Sequence, residues 1–213
     1  MHALIWLAPA LLAAIDWWAV SRHDRRTEAW AKPATLLALL VVAAVLGAGD
    51  SGAGQWLLVA LAFGALGDLA LLSDSLPRFR TGLGFFLVGH LAYVACFLAL
   101  GLSTPGWSWV VLAVLALTVV ATRDVVPATH RLDGITLSAP VATYTLVIGA
   151  MLVTAWFTGL GLVALGATIF VVSDATLSID RFVSPRRWGH LAVMVTYHVG
   201  QALIVLGVLD AVA

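Results

Sequence analysis

Two aspartates carry the chemical interest of this sequence, Asp68 in "LAFGALGDLALLS" and Asp174 in "GATIFVVSDATL", because each is the one charge in an apolar run. Each lies about six residues from the basic end of its run, roughly 9 Å deep at ~1.5 Å per helical residue. A carboxylate at that depth is costly unless it is protonated, paired or in a wet cavity. The two runs point the same way, so both carboxylates can share one layer near the basic side. The plainer alternative is an aspartate that merely bonds a neighbouring helix, an explanation that fits one acid better than two at matched depth.

Three other runs carry polar groups at helical spacing. His190, Met194, Tyr197, His198 and Gln201 stand at i, i+4, i+7, i+8 and i+11, one face of an α-helix. Phe86, His90, Tyr93 and Phe97 repeat the pattern, and Pro140, Tyr144 and Met151 form a third stripe. Singly, each polar side chain is explained by hydrogen bonding between membrane helices; together they outline a polar pocket. Lys32, just before Pro33, stands at the mouth of that pocket, either as a point charge for a lipid phosphate or as an ordinary interfacial lysine. Arg78, Arg80, Arg186 and Arg187 have the same two explanations. Gly64, Gly67 and Gly166 flank the aspartates as small residues that permit close helix approach.

Other chemistries lack support. No G-x-S-x-G, Walker loop or H-E-x-x-H occurs. His90, His198 and an aspartate have the ligand types for zinc, but no pair has a diagnostic spacing, and neither a metal nor a cofactor is expected. The single cysteine, Cys96, sits in an apolar run, excludes an internal disulfide and reads as packing.

Membrane helices must position these side chains. Of 213 residues, 62% are hydrophobic and 10% charged, far from the composition of a soluble domain. The 11 basic and 11 acidic residues cancel, which removes nucleic acid as a partner. Eight apolar stretches approach the ~20 residues needed to cross the hydrocarbon as helix: roughly 3–20, 33–49, 55–73, 82–102, 107–122, 134–156, 160–178 and 188–210. The first has no basic region before it and no A-x-A end, so it is expected to be a retained span rather than a cleaved signal.

Charge placement supports the count. All 11 lysines and arginines fall after spans one, three, five and seven, whereas "GAGDSGAG", "GLSTPG" and "FTGLG" have none. Because basic loops stay in the cytoplasm, both termini are expected outside. The halves also echo each other at an offset of 106 to 107 residues, "DLALLSD" against "DATLSID" and Pro33 against Pro140. Two parallel four-span repeats, 1–106 and 107–213, would explain this, as would chance matches in an apolar sequence. The expected fold is an all-α, eight-span membrane protein of one domain.

The set "AKP" at 31–33, "GDLALL" at 67–72, "FRTGLGFFLVGHLAY" at 79–93, "PVATY" at 140–144, "GATIFVVSDATL" at 166–177 and "TYHVGQALI" at 196–204 resembles the YhhN-like lysoplasmalogenase family over most of the chain. The resemblance implies hydrolysis of the vinyl ether bond of lysoplasmalogens to a fatty aldehyde and glycerophosphoethanolamine or glycerophosphocholine. It makes Asp68 and Asp174 the acid and base, and sets Lys32, His90, Tyr93, Tyr144, Tyr197, His198 and Gln201 at the family's polar motif positions. A lysophospholipid substrate in a bacterial cytoplasmic membrane is the corresponding expectation. Two rivals remain at this stage: a proton-coupled transporter, since intramembrane acids and histidines also relay protons, and a zinc-dependent intramembrane lipid hydrolase.

Overall fold

A computed structural model describes residues 2–73, 75–106 and 109–213, without the side chains of His2 and Ala3. Asp74, which closes the first half of the echo, and Trp107, where the fifth span is expected to start, lie outside the described residues. After one turn at His2–Ile5 come eight helices: α1 (Leu7–Ser21), α2 (Arg25–Val45), α3 (Gly52–Ala70), α4 (Leu76–Leu100), α5 (Val110–Thr122), α6 (Val125–Phe157), α7 (Gly161–Phe182) and α8 (Gly189–Val212). A 3-10 turn, Ala48–Asp50, joins α2 to α3. Six of these helices, α2, α3, α4, α6, α7 and α8, are long and apolar enough to cross a membrane. The helices α1 and α5 are shorter, at 15 and 13 residues. Large apolar side chains such as Leu37, Leu91, Leu117 and Leu146 point outward, an exterior suited to lipid rather than water. The chain is a multi-pass membrane protein.

Helix α2 begins about two turns before the expected start at Pro33. Its N-cap is Asp24, whose side chain accepts from the backbone N–H groups of Arg26 at 3.1 Å and Thr27 at 3.3 Å, satisfying donors that the first turn would otherwise leave open. The Thr27 hydroxyl donates to the same carboxyl at 2.6 Å. That bond is the main reason the Asp24 carboxyl is held below its usual range. The consequence is that Lys32 sits inside a helix, one turn after Glu28, rather than on a loop.

Helix α6 is broken once. Asp133 (φ −153°, ψ 32°) and Gly134 (φ 55°, ψ −148°) leave helical geometry, and the positive φ of Gly134 is a conformation that a side chain would strain. The break separates a short basic-end segment, held by the Arg80–Asp133 ion pair, from the span that carries Tyr144.

The most extensively packed pairs are α3 with α4 and α7 with α8, and α8 also touches α1, α2, α3 and α4. Close approach of α7 and α8 depends on missing side chains: a Cβ on Gly166 would lie 2.8 Å from the Gly200 carbonyl oxygen. Gly67 has a similar role against the Phe86 ring, 2.6 Å from a Cβ built there. The buried interior runs through Leu36, Leu57, Leu61, Phe97, Met151, Phe170 and Ile204, with Cys96 in its midst.

Candidate functional site

Five helices bring polar side chains to one cavity at the basic end of the bundle. The cavity, of about 50 Å³, is lined by Lys32 of α2, Asp68 of α3, Phe86 of α4, Tyr144 of α6, Asp174 of α7 and Tyr197 of α8, among others. A water needs roughly 10–15 Å³ of such space and several polar partners, so the volume admits a few waters against two carboxylates.

Asp68 is fully buried. The Tyr197 hydroxyl donates to its Oδ2 at 3.0 Å, and the Lys32 ammonium lies 3.3 Å from its Oδ1. Asp174, partly open to the cavity, accepts a short hydrogen bond from the Tyr144 hydroxyl at its Oδ2. The two carboxylates therefore have matching phenolic donors, from α8 and α6, but the cation is closely paired with Asp68 alone. Lys32 is also within Coulombic reach of Asp174 and of a third acid, Asp16.

Aromatic rings fix the phenols. Tyr197 meets Phe170 edge-on at 5.4 Å between centroids and Phe86 at 6.1 Å. His90 meets Tyr144 at 5.2 Å and Phe170 at 5.0 Å, both edge-on. It stands behind the cavity wall as a support for Tyr144. The His90 Nδ1–H donates to the Phe86 carbonyl at 2.6 Å, one turn back in α4, which fixes the ring's tautomer and orientation. Its Nε2 has no hydrogen-bond partner among the described residues.

The remaining expected site residues lie deeper or face elsewhere. The Tyr93 hydroxyl donates to Gln201 Oε1 in a short bond between α4 and α8, and both side chains are buried outside the cavity lining. His198 turns toward α1, where its Nδ1 accepts from the Trp17 indole at 3.1 Å. It borders a separate apolar cavity of about 400 Å³ between α1, α2 and α8. Tyr197 and His198 are successive residues, about 100° apart around a helix of 3.6 residues per turn, so one faces the carboxylates while the other faces away.

Three ionisable residues were not singled out by their sequence positions. Asp16, the one charge in the first apolar stretch, is fully buried, 4.0 Å from His198 Nδ1, and neither carboxyl oxygen has a hydrogen-bond partner among the described residues. Its isolation in "LLAAIDWWAV" was the available signal. Arg181 lines the cavity with its guanidinium 4.4 Å over the Phe79 ring; in the sequence it counts only toward topology. Glu28, paired with His190 at 2.9 Å, precedes Lys32 by one helical turn and so shares its face.

Comparison with known proteins agrees with the motifs. The YhhN family is matched over residues 27–208. The chain is similar to the human protein named lysoplasmalogenase TMEM86B, 29% identical over 206 residues that cover 96% of this chain and 86% of that protein. It is likewise similar to a lysoplasmalogenase of Mycobacterium tuberculosis, 31% identical over 177 residues, 80% of this chain and 67% of that one. Lysoplasmalogenase TMEM86A of Bos taurus is 30% identical over 168 residues, 72% and 65% of the two chains. No solved structure matches the chain.

Proposed function

The chain belongs to the YhhN family, and from that premise we propose that it hydrolyses the vinyl ether bond of lysoplasmalogens, with Asp174 as the acid and Asp68 as the base. The observation that carries the assignment is the asymmetry of one cavity: both aspartates wall it and both accept a phenolic hydrogen bond, yet the Lys32 ammonium lies against Asp68. An adjacent cation favours the ionised carboxylate, so a proton shared by the pair resides on Asp174.

Vinyl ether hydrolysis begins with proton transfer to the β-carbon. Asp174 donates that proton, and the positive charge develops on the ether carbon and oxygen, where the Asp68 carboxylate stabilises it. A cavity water then attacks the oxocarbenium carbon while Asp68 takes its proton, giving a hemiacetal. Collapse reverses the roles: Asp174 removes the hemiacetal hydroxyl proton, and Asp68 returns its own to the leaving glycerol oxygen. The products are a fatty aldehyde and a glycerophospho-alcohol, and both carboxyl groups regain their starting states. Tyr144 and Tyr197 hold the two acids in position throughout, and His90 braces Tyr144. The apolar lining around Leu83, Val141 and Leu177 suits the start of an alkenyl chain, and the basic loops face the cytoplasm in this reading.

The test is incubation of the purified protein with 1-alkenyl-glycerophosphoethanolamine beside its 1-acyl analogue. Aldehyde release from the first and no hydrolysis of the second is the expected result. Equal release of fatty acid from the acyl lipid would overturn the vinyl ether assignment.

A further inference from the structure

Immediately on the basic side of the carboxylate cavity lies a wider one, of about 270 Å³. The two share seven lining residues, Lys32, Phe79, Arg181 and Met194 among them, so the wider space adjoins any reacting bond held at the aspartates. That space is bipolar: Arg25, Lys32 and Arg181 line it together with Glu28, Asp180 and His190. The Arg181 guanidinium is set by its stacking on Phe79. Asp180 is already engaged, accepting from the Arg186 backbone N–H at 2.6 Å. Glu28 is different. Its side chain is 14% exposed, and its carboxylate is held at 2.9 Å by His190, whose own side chain is 53% exposed at the rim.

Along α2 the charges are ordered. Lys32 borders both cavities, and Glu28, four residues before it, stands about 6 Å nearer the rim at ~1.5 Å per residue. A phosphate drawn to Lys32 and Arg181 directs its other substituent outward, where Glu28 is the carboxylate it meets. An anion between a phosphate site and the rim repels a phosphate monoester. It favours only a ligand that brings a cation to the same place, which is discrimination by a built-in penalty.

We propose that Glu28 is the residue that reads the amine of a zwitterionic headgroup: the wider cavity holds the phosphate against Lys32 and Arg181 and the ammonium against Glu28, with His190 as the partner Glu28 has when the site is empty. This rests on the function proposed above and assigns a residue to the phospho-amine headgroups that the family resemblance implies. Charge-assisted hydrogen bonds are the strong ones, and in this arrangement the ammonium replaces an imidazole at the rim.

The experiment compares 1-alkenyl-glycerophosphoethanolamine with 1-alkenyl-glycerol-3-phosphate on the parent, Glu28→Gln, Glu28→Asp and His190→Gln. Glu28→Gln is expected to raise KM for the ethanolamine substrate about tenfold, the scale of one charged hydrogen bond, while KM for the phosphate monoester stays level or falls. Glu28→Asp keeps the charge and recovers part of the preference. His190→Gln leaves the preference intact or sharpens it, because it only frees Glu28. Equal KM changes for both substrates in Glu28→Gln, or the same loss of preference in His190→Gln, would show that Glu28 merely clasps α2 to α8, and would overturn the proposal.

The saturated 1-alkyl analogues of the two lipids, tested by thermal shift, report headgroup preference without turnover. Aldehyde release with no headgroup preference refutes this inference alone. A Glu28-dependent preference for the alkyl ethanolamine lipid with no aldehyde release refutes the proposed reaction and leaves the headgroup site standing.

Discussion

Replacing Lys32 by Met tests the centre of the site through stability, independently of any substrate. The Lys32 ammonium lies 3.3 Å from Asp68 Oδ1, with side-chain exposures of 8% and 0%. At an effective dielectric near 20, a pair at that distance attracts by about 5 kcal/mol. Removing one member of a buried pair leaves the other uncompensated, a loss of about 3–5 kcal/mol. A loss near 3 kcal/mol lowers the melting midpoint by about 6–12 °C for a chain of this size. The reverse deletion is milder. In Asp68→Asn the ammonium can turn into the wider cavity that Lys32 also borders, whereas Asp68 has no such exit. The expected order of midpoints in detergent is therefore parent, then Asp68→Asn, then Lys32→Met, with the double variant above Lys32→Met because no unpaired charge remains. Fluorescence-detected thermal melting gives all four values. A Lys32→Met midpoint equal to the parent's, or a double variant no more stable than Lys32→Met, would refute the pairing argument.

Further outcomes follow from the same geometry. Asp68→Asn and Asp174→Asn keep shape but cannot exchange a proton, so each should lower aldehyde release by at least ~10²-fold with unchanged elution; near-parental turnover in either removes that residue from the mechanism. Gly166→Val inserts atoms where a Cβ already lies 2.8 Å from the Gly200 carbonyl, and overpacking of that kind costs roughly 1–3 kcal/mol or more, whereas Gly84→Ala, with open space around it, should melt like the parent. In a Cys96→Ala background, Arg78→Cys and Arg187→Cys should react with an impermeant thiol reagent from one side of the membrane and Ala213→Cys from the other; labelling of all three from one side would overturn the expected orientation.

The order of helices was legible because apolar length and basic loops are strong, local signals. The start of α2 was not. Pro33 looked like a boundary and "RRTEAWAK" like a loop, but the Asp24 cap and Thr27 begin the helix at Arg25, and the membrane accepts Lys32 there because Asp68 pairs with it. Isolation and matched depth singled out Asp68 and Asp174, and stripe spacing picked out Tyr144 and Tyr197, yet spacing could not separate Tyr197 from His198. That distinction depends on how α8 is rotated against α1 and α3, a property of packing that no single helix encodes. Asp16 was as isolated in its stretch as the other two acids, and its neighbour His198, far away in the chain, is brought to it only by the assembled bundle. The Tyr93–Gln201 bond, likewise, joins two recognisable stripes whose mutual contact only the assembled bundle reveals.

The sequence positions of the two acids' partners bear on how the protein enters the bilayer. Lys32 is synthesised before Asp68, and Tyr144 before Asp174, so when each carboxylate emerges from the ribosome a helix bearing a complementary group is already present. An α2–α3 hairpin can be inserted with its opposite charges paired, and an α6–α7 hairpin with its hydroxyl on the acid. Tyr197 arrives with the last helix, which also touches α1, α2, α3 and α4. The cavity is thus closed by the final segment to be made, and truncation between α7 and α8 would leave a chain with both acids but without Tyr197 to enclose them.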